Sequence, residues 1–179
     1  MINIEDIKLC NEPSILIAGA RRTGKTVLAI HLIKHLTKLF DYDDIILISN
    51  TAEIEVNGLF NFVNPKKRFL PKDQDAVLEA YFKNQDKLIK QNKTSRVMVI
   101  LDDLDLDRKS IYINKLFTQG RHYFFTVLML VQYPRLTVTP QIRSNIDVLF
   151  TSKQSEQGVK ALYDAINLQL GKELFQKFI

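Results

Sequence analysis

The sequence predicts an α/β fold in which a mainly parallel β-sheet is flanked by helices. Three observations carry that expectation. Short apolar runs recur along the 179-residue chain, and stretches with helical spacing lie between most of them. The runs are apolar at nearly every position instead of alternating, which is how strands covered on both faces read. A glycine-bounded loop joins the first apolar run to the first helical stretch, as a strand–loop–helix unit requires.

Taken in order, the first strand is expected at residues 14–17 and the first helix at 26–40, where Val27, Leu28, Ile30, Leu32, Ile33 and Leu36 recur at near-helical spacing. A second strand is expected at 44–49. Residues 51–70, with Gly58, Pro65 and the run Lys66-Lys67-Arg68, are the least regular part and read as a surface insertion. A second helix follows at 73–91, with Val77, Leu78, Tyr81, Phe82, Leu88 and Ile89 on one stripe. Then come a strand at 97–101, a helix at 109–118, and strands at 126–131 and 147–151. Two last helices are expected at 156–168 and 172–178. With no internal repeat, low-complexity tract or linker, residues 1–179 read as a single domain with C-terminal helices over about 156–179.

Composition narrows the class. Hydrophobic residues make up 46% and charged residues 25%, ordinary for a globular chain able to bury a core. No apolar run approaches the roughly 18 residues of a membrane span. The start, Met1 to Asp6, lacks the basic-then-apolar pattern of a secretory signal, so the protein is not expected to be secreted. Cys10 is the only cysteine, which excludes an internal disulfide or a thiolate zinc site and fits a reducing, intracellular setting. Net charge is +5 and the pI near 9.2, a mild basic bias compatible with a nucleic-acid partner.

The most specific stretch is Gly19-Ala20-Arg21-Arg22-Thr23-Gly24-Lys25-Thr26, which fits G-x-x-x-x-G-K-[ST] at every fixed position. Its two glycines permit a backbone that turns N–H groups inward onto phosphate oxygens, and the following helix adds its positive dipole end. Lys25 would reach the β- and γ-phosphates and Thr26 would hold Mg²⁺, so ATP with Mg²⁺ is the expected ligand pair. The bland alternative is a glycine turn that happens to carry a lysine.

A second half of such a site is legible downstream. The strand at 97–101 runs into Asp102-Asp103. Asp102 is placed to hold Mg²⁺ through its water shell, and Asp103 to polarise the attacking water as general base. Alternatively, Asp102, Asp103, Asp105 and Asp107 are acids gathered ahead of a helix start. Gln132 follows the strand at 126–131, near the γ-phosphate position, where an amide orients water or senses phosphate; otherwise it is a strand-end turn residue. Arg121 precedes that same strand, at the end that faces away from its own nucleotide. It is therefore a candidate for a catalytic finger acting on a neighbour's nucleotide, or a surface arginine paired to an acid. Arg143 is a second, weaker candidate. His31 and His35 lie one turn apart on the first helix, a spacing that can bind metal, but no third ligand is evident, so they and His122 read as surface or core packing.

The order of these features resembles a known family. Walker A loop, Asp102-Asp103 strand, Gly120-Arg121-His122, strand ending in Gln132, then Ile142-Arg143-Ser144-Asn145-Ile146-Asp147 is similar to the FtsK–HerA superfamily of pumping ATPases. Within it the chain looks most like the poxvirus-type genome-packaging ATPases of large double-stranded DNA viruses and virophages. The likeness runs from about Ile15 to Thr151; the loop motif is generic, whereas the stretches around Arg121, Gln132 and Arg143 are more specific.

The resemblance implies a RecA/FtsK–HerA-like phosphate-loop fold and an oligomeric ring that hydrolyses ATP to drive double-stranded DNA into a preformed capsid or through its portal vertex. The setting would be the host cytoplasm at the assembly site, or the virion. By position, Lys25 and Thr26 would bind nucleotide and metal, Asp102 and Asp103 would form the Walker B pair, Gln132 the sensor and Arg121 the trans-acting finger. The chain is shorter than many relatives, so a C-terminal region for docking on a portal or capsid is expected to be reduced, absent or removed. For DNA contact only charges speak: Lys66-Lys67-Arg68, or Lys83, Lys87 and Lys90 on one helix face, would grip phosphates without base readout, and the first cluster is the better candidate because a lysine stripe is usually a solvated helix face. The competing functions are a small-molecule kinase with the same nucleotide site, and a non-catalytic nucleotide switch or scaffold. A kinase would be expected to carry an arginine-rich lid and an acceptor pocket. Intact Lys25, Asp102 and Asp103 argue against a switch that has lost catalysis.

Overall fold

The computed structural model describes residues 4–51, 58–102, 104, 110–132, 137–151 and 163. Among the described residues, six strands form one sheet: β1 (Ser14–Ala18), β2 (Asp44–Ser49), β3 (Arg68–Phe69), β4 (Val97–Asp102), β5 (Phe125–Val131) and β6 (Val148–Thr151). Their spatial order is β3-β2-β4-β5-β1-β6, and every neighbouring pair is parallel. Four α-helices whose full extent lies among the described residues accompany them: α1 (Lys25–Leu39), α2 (Gln74–Lys90), α3 (Ile111–Gln119) and the single turn α4 (Pro140–Arg143).

Side chains alternate across each strand, so the unbroken apolar runs feed two cores. Ile15, Ile17, Leu47, Met98, Ile100, Leu128 and Leu130 face α1, meeting Ala29, Leu32, Ile33 and Leu36. Leu16, Ile46, Val99, Leu101, Phe125, Val127 and Met129 face the other way, onto Leu78 and Phe82 of α2, Ile113, Leu116 and Phe117 of α3, and Ile142 of α4. Full burial of one such aliphatic side chain is worth about 1.5–3 kcal/mol, which is why the central strands β4 and β5 carry no solvent-facing apolar residue.

The strands stand within a residue or so of their expected positions. The insertion does not stand as expected. Within 51–70, Phe60 and Val63 are buried against the α1 core, at 0% and 1% exposure, and Arg68–Phe69 adds an edge strand to β2. A segment that sequence alone read as surface therefore closes one side of the hydrophobic core. The α2 stripe is also narrower than expected: Leu78 and Phe82 are buried, Gln74 and Gln85 share their face, and Ile89 is exposed. On α1, Val27 is half exposed while Ala29 is buried in its stead. The helices expected at 156–168 and 172–178 lie outside the described residues except for Tyr163, which packs partly buried against the α2–α3 core. Among the described residues no helix is long and apolar enough to cross a membrane.

Candidate nucleotide site

The loop between β1 and α1 is built by two left-handed residues. Arg22 has φ 61° and Gly24 φ 84°, alternating around Thr23, a pattern that swings successive N–H groups onto one concave side. At Gly24 the conformation demands glycine and not the space, since nothing lies within 4 Å of where a Cβ would stand. Thr23 Oγ1 donates to Ala20 O at 2.8 Å and pins the turn. Lys25 Nζ donates to the same carbonyl at 2.8 Å, folded back across its own loop. Gly24 caps α1 with no side-chain hydrogen bond, and the first turn of α1 holds no acid. By contrast, Ser110 and Thr139 cap α3 and α4 through their hydroxyls. The amino end of α1 thus presents amide donors and a positive dipole end to the loop without a side chain competing for them. Thr26, the second residue of α1, is half-buried beside it.

Two more strand tips flank this loop. β5 lies between β1 and β4, with Ala18 level with Val131 and Asp102 level with Leu130. Gly19 N–H extends the ladder by donating to Val131 O at 3.1 Å. Gln132, one residue on, therefore stands beside the start of the loop, and its Oε1 accepts a hydrogen bond from Arg21 Nε at 3.0 Å. Asp102 ends β4, half-exposed, opposite buried Ser49 of β2. The loop, Gln132 and Asp102 all gather at the carboxyl end of the parallel strands, where ligands of such sheets bind. Asp103 lies outside the described residues.

Arg121 is at the other end. It sits in a 3-10 turn, Gly120–Tyr123, that Phe124 closes in the left-handed region at φ 58° before β5 begins. Its guanidinium is half exposed and pairs with Asp147. The second oxygen of Asp147 accepts Ser14 N–H at 2.8 Å, and Asp147 N–H donates to Ser14 O at 2.9 Å, so this acid also stitches the amino ends of β1 and β6. Arg143 ends α4, with its Nε buried and without a hydrogen-bond partner.

Two contacts were not anticipated from sequence. One is the Arg21–Gln132 bond, which joins residues 111 positions apart. The other joins Lys67, Asp44 and Tyr81: Lys67 Nζ and Tyr81 Oη both donate to Asp44 Oδ2, the phenol at 2.6 Å, and Lys67 Nζ lies 2.9 Å from Tyr81 Oη. Asp44 holds the lysine above its usual range. Burial, then the bond to Asp44, pushes the Tyr81 phenol up to about 12. Two of the three residues of Lys66-Lys67-Arg68 thus have partners within the chain. Lys67 is committed to Asp44, and Arg68 donates to Val63 O and Asn61 O at 2.9 and 3.0 Å, so only Lys66 is plainly exposed. Lys83 pairs with Glu79 one turn away on α2.

Loop, sheet order and strand-tip residues together define a phosphate-loop nucleotide-binding protein. A family model described as Poxvirus A32 protein matches residues 4–179, and the chain belongs to that family. A stretch of 73 residues is 42% identical to "Uncharacterized protein 088R" of Invertebrate iridescent virus 3, covering 37% of this chain and 27% of that one. The fold is similar to the genome packaging NTPase B204 from Sulfolobus turreted icosahedral virus 2, solved in complex with AMPPCP (TM-score 0.63, 14% identity, 94% of this chain and 87% of that one). It is also similar to the cytoplasmic domain of EssC (TM-score 0.64, 10% identity, 85% of this chain). The chain spans 35% of the EssC chain and, as noted, about a quarter of the iridovirus protein.

Proposed function

We propose that this chain is an ATP-hydrolysing motor domain, spanning 1–179, that moves double-stranded viral DNA into a preformed capsid. The observation that carries the reading is the strand order: it sets the glycine loop, Gln132 and Asp102 on three consecutive strand tips, β1, β5 and β4. Membership of the Poxvirus A32 protein family supports it, as does the likeness to a packaging NTPase that binds a nucleotide analogue. Nothing comparable supports the small-molecule kinase.

In this reading the loop amides of residues 19–24 and the amino end of α1 hold the phosphates, and Lys25 leaves Ala20 O for the β- and γ-phosphate oxygens. Thr26 and Asp102 fit Mg²⁺ by chemistry, a hydroxyl and a carboxylate oxygen for a hard cation that takes most of its remaining ligands from phosphate and water. When bound, that ion neutralises the charge that builds on the transferred phosphoryl group. Asp103 accepts the proton of the attacking water, and Gln132 senses the terminal phosphate. Arg121 acts on the nucleotide of a neighbouring subunit in a homo-oligomeric ring at the virus assembly site or capsid vertex. DNA is held through phosphates, with Lys66, Lys87 and Lys90 as exposed cations available for that task.

The test is turnover against added duplex DNA. ATPase activity should rise with DNA and with protein concentration, and the stimulation should fall steeply as salt increases. Lys25→Ala should abolish turnover. Phosphorylation of a nucleoside or metabolite at the expense of ATP would favour the kinase instead.

A further inference from the structure

Gln132 can serve a nucleotide in two opposite ways. Its carbonyl oxygen can orient a water by accepting, or its NH₂ can read a phosphate oxygen by donating. Arg21 decides between them. A guanidinium carries five N–H donors and no acceptor, so the amide atom facing Arg21 Nε at 3.0 Å has to be the oxygen. The usual two-fold ambiguity of an amide is therefore removed by chemistry. The backbone leaves little freedom to undo this, because Gly19 N–H to Val131 O locks the loop start beside Gln132. With its oxygen turned to a cation, the amide turns its donors elsewhere.

We propose that Arg21 is a positioning residue that orients the Gln132 amide as a donor, making the pair a reader of the terminal phosphate that separates a nucleoside triphosphate from a diphosphate. This rests on the nucleotide-site reading above. It assigns Arg21 a role distinct from the loop amides, which hold phosphates common to both nucleotides, and from Lys25, which contacts the phosphates directly and does not act through another side chain. Arg21 is exposed, so its bond to Gln132 adds little to folding, and its value lies in the direction it imposes.

The experiment is a mutant cycle read as the affinity ratio for ATPγS over ADP, by calorimetry on the whole chain. Gln132→Ala should lower that ratio about tenfold, the worth of one hydrogen bond to a charged oxygen. Arg21→Ala should lower it similarly, and the double variant should fall no further. Gln132→Glu keeps an acceptor for Arg21 but has no donor, so it should lose the selectivity while remaining folded. If Arg21→Ala weakens both nucleotides equally, or the two losses add in the double variant, Arg21 is only another phosphate contact and the proposal fails. Turnover measured on the same samples tests the motor separately: a wild-type chain that discriminates nucleotides without hydrolysing them refutes the ATPase and leaves the positioning role standing.

Discussion

Asp44 shows how one side chain can redirect a neighbour's apparent purpose. It opens β2, and its Oδ2 takes hydrogen bonds from both Lys67 and Tyr81, tying the segment after Pro65 and the middle of α2 to the sheet. A lysine so bound is structural, and its removal should cost about 1–2 kcal/mol, more than a typical surface pair because both partners are half-buried. The phenol supplies a pH signature. Its folded value near 12 lies above the ordinary 10, so the stability it confers is complete below the ordinary value and is lost as pH climbs through the folded one. Lys67, also raised, acts with the same sign. Wild type should therefore exceed Tyr81→Phe in urea stability at about pH 9, with the advantage vanishing towards about pH 12. A gap that stays constant over that range would mean an ordinary phenol.

At the scale of elements, what could be read from the sequence follows from what each element buries. Strands β2, β4 and β5 are enclosed on both faces, so their composition alone announces them, and the glycine loop announces itself because few residues tolerate φ 84°. Within 51–70, the described residues 58–69 carry no such signal, for the converse reason. Their order comes from long-range packing, Phe60 and Val63 onto α1 and Arg68–Phe69 onto β2, and no local period records that. The Arg21–Gln132 bond was illegible for a related cause: it depends on β5 lying next to β1, a fact of topology. The reassigned segment makes a direct prediction. Phe60→Ala should destabilise the fold by about 3–5 kcal/mol, the range for a buried phenylalanine, in a denaturant melt. Phe62→Ala, two residues on at a half-exposed ring, should change stability far less. Equal small effects at both positions would return the segment to the surface.

For the whole molecule, the decisive question is whether Arg121 serves its own chain or the next. Its pairing with Asp147 is the bland answer, and it leaves the proposed trans role open because the pair is cheap to break. A half-exposed ion pair is worth about 0–1 kcal/mol, whereas a finger that completes a neighbour's site is worth about 10³–10⁵ in turnover, or roughly 4–7 kcal/mol. Leaving Asp147 is therefore cheap compared with what the trans contact would supply. Asp147 also keeps its bond to Ser14 N–H when Arg121 departs, so β1 and β6 stay joined. The position suits a neighbour, since strand direction puts Arg121 at the end of β5 opposite Gln132. The prediction is asymmetric. Arg121→Ala should leave melting temperature and ATP binding nearly unchanged while turnover falls by several orders of magnitude. Mixed with Lys25→Ala, it should regain activity, because a ring containing both has sites with an intact lysine facing an intact arginine. If Arg121→Ala instead loses stability together with activity, and mixing restores nothing, the arginine is a strut for Asp147.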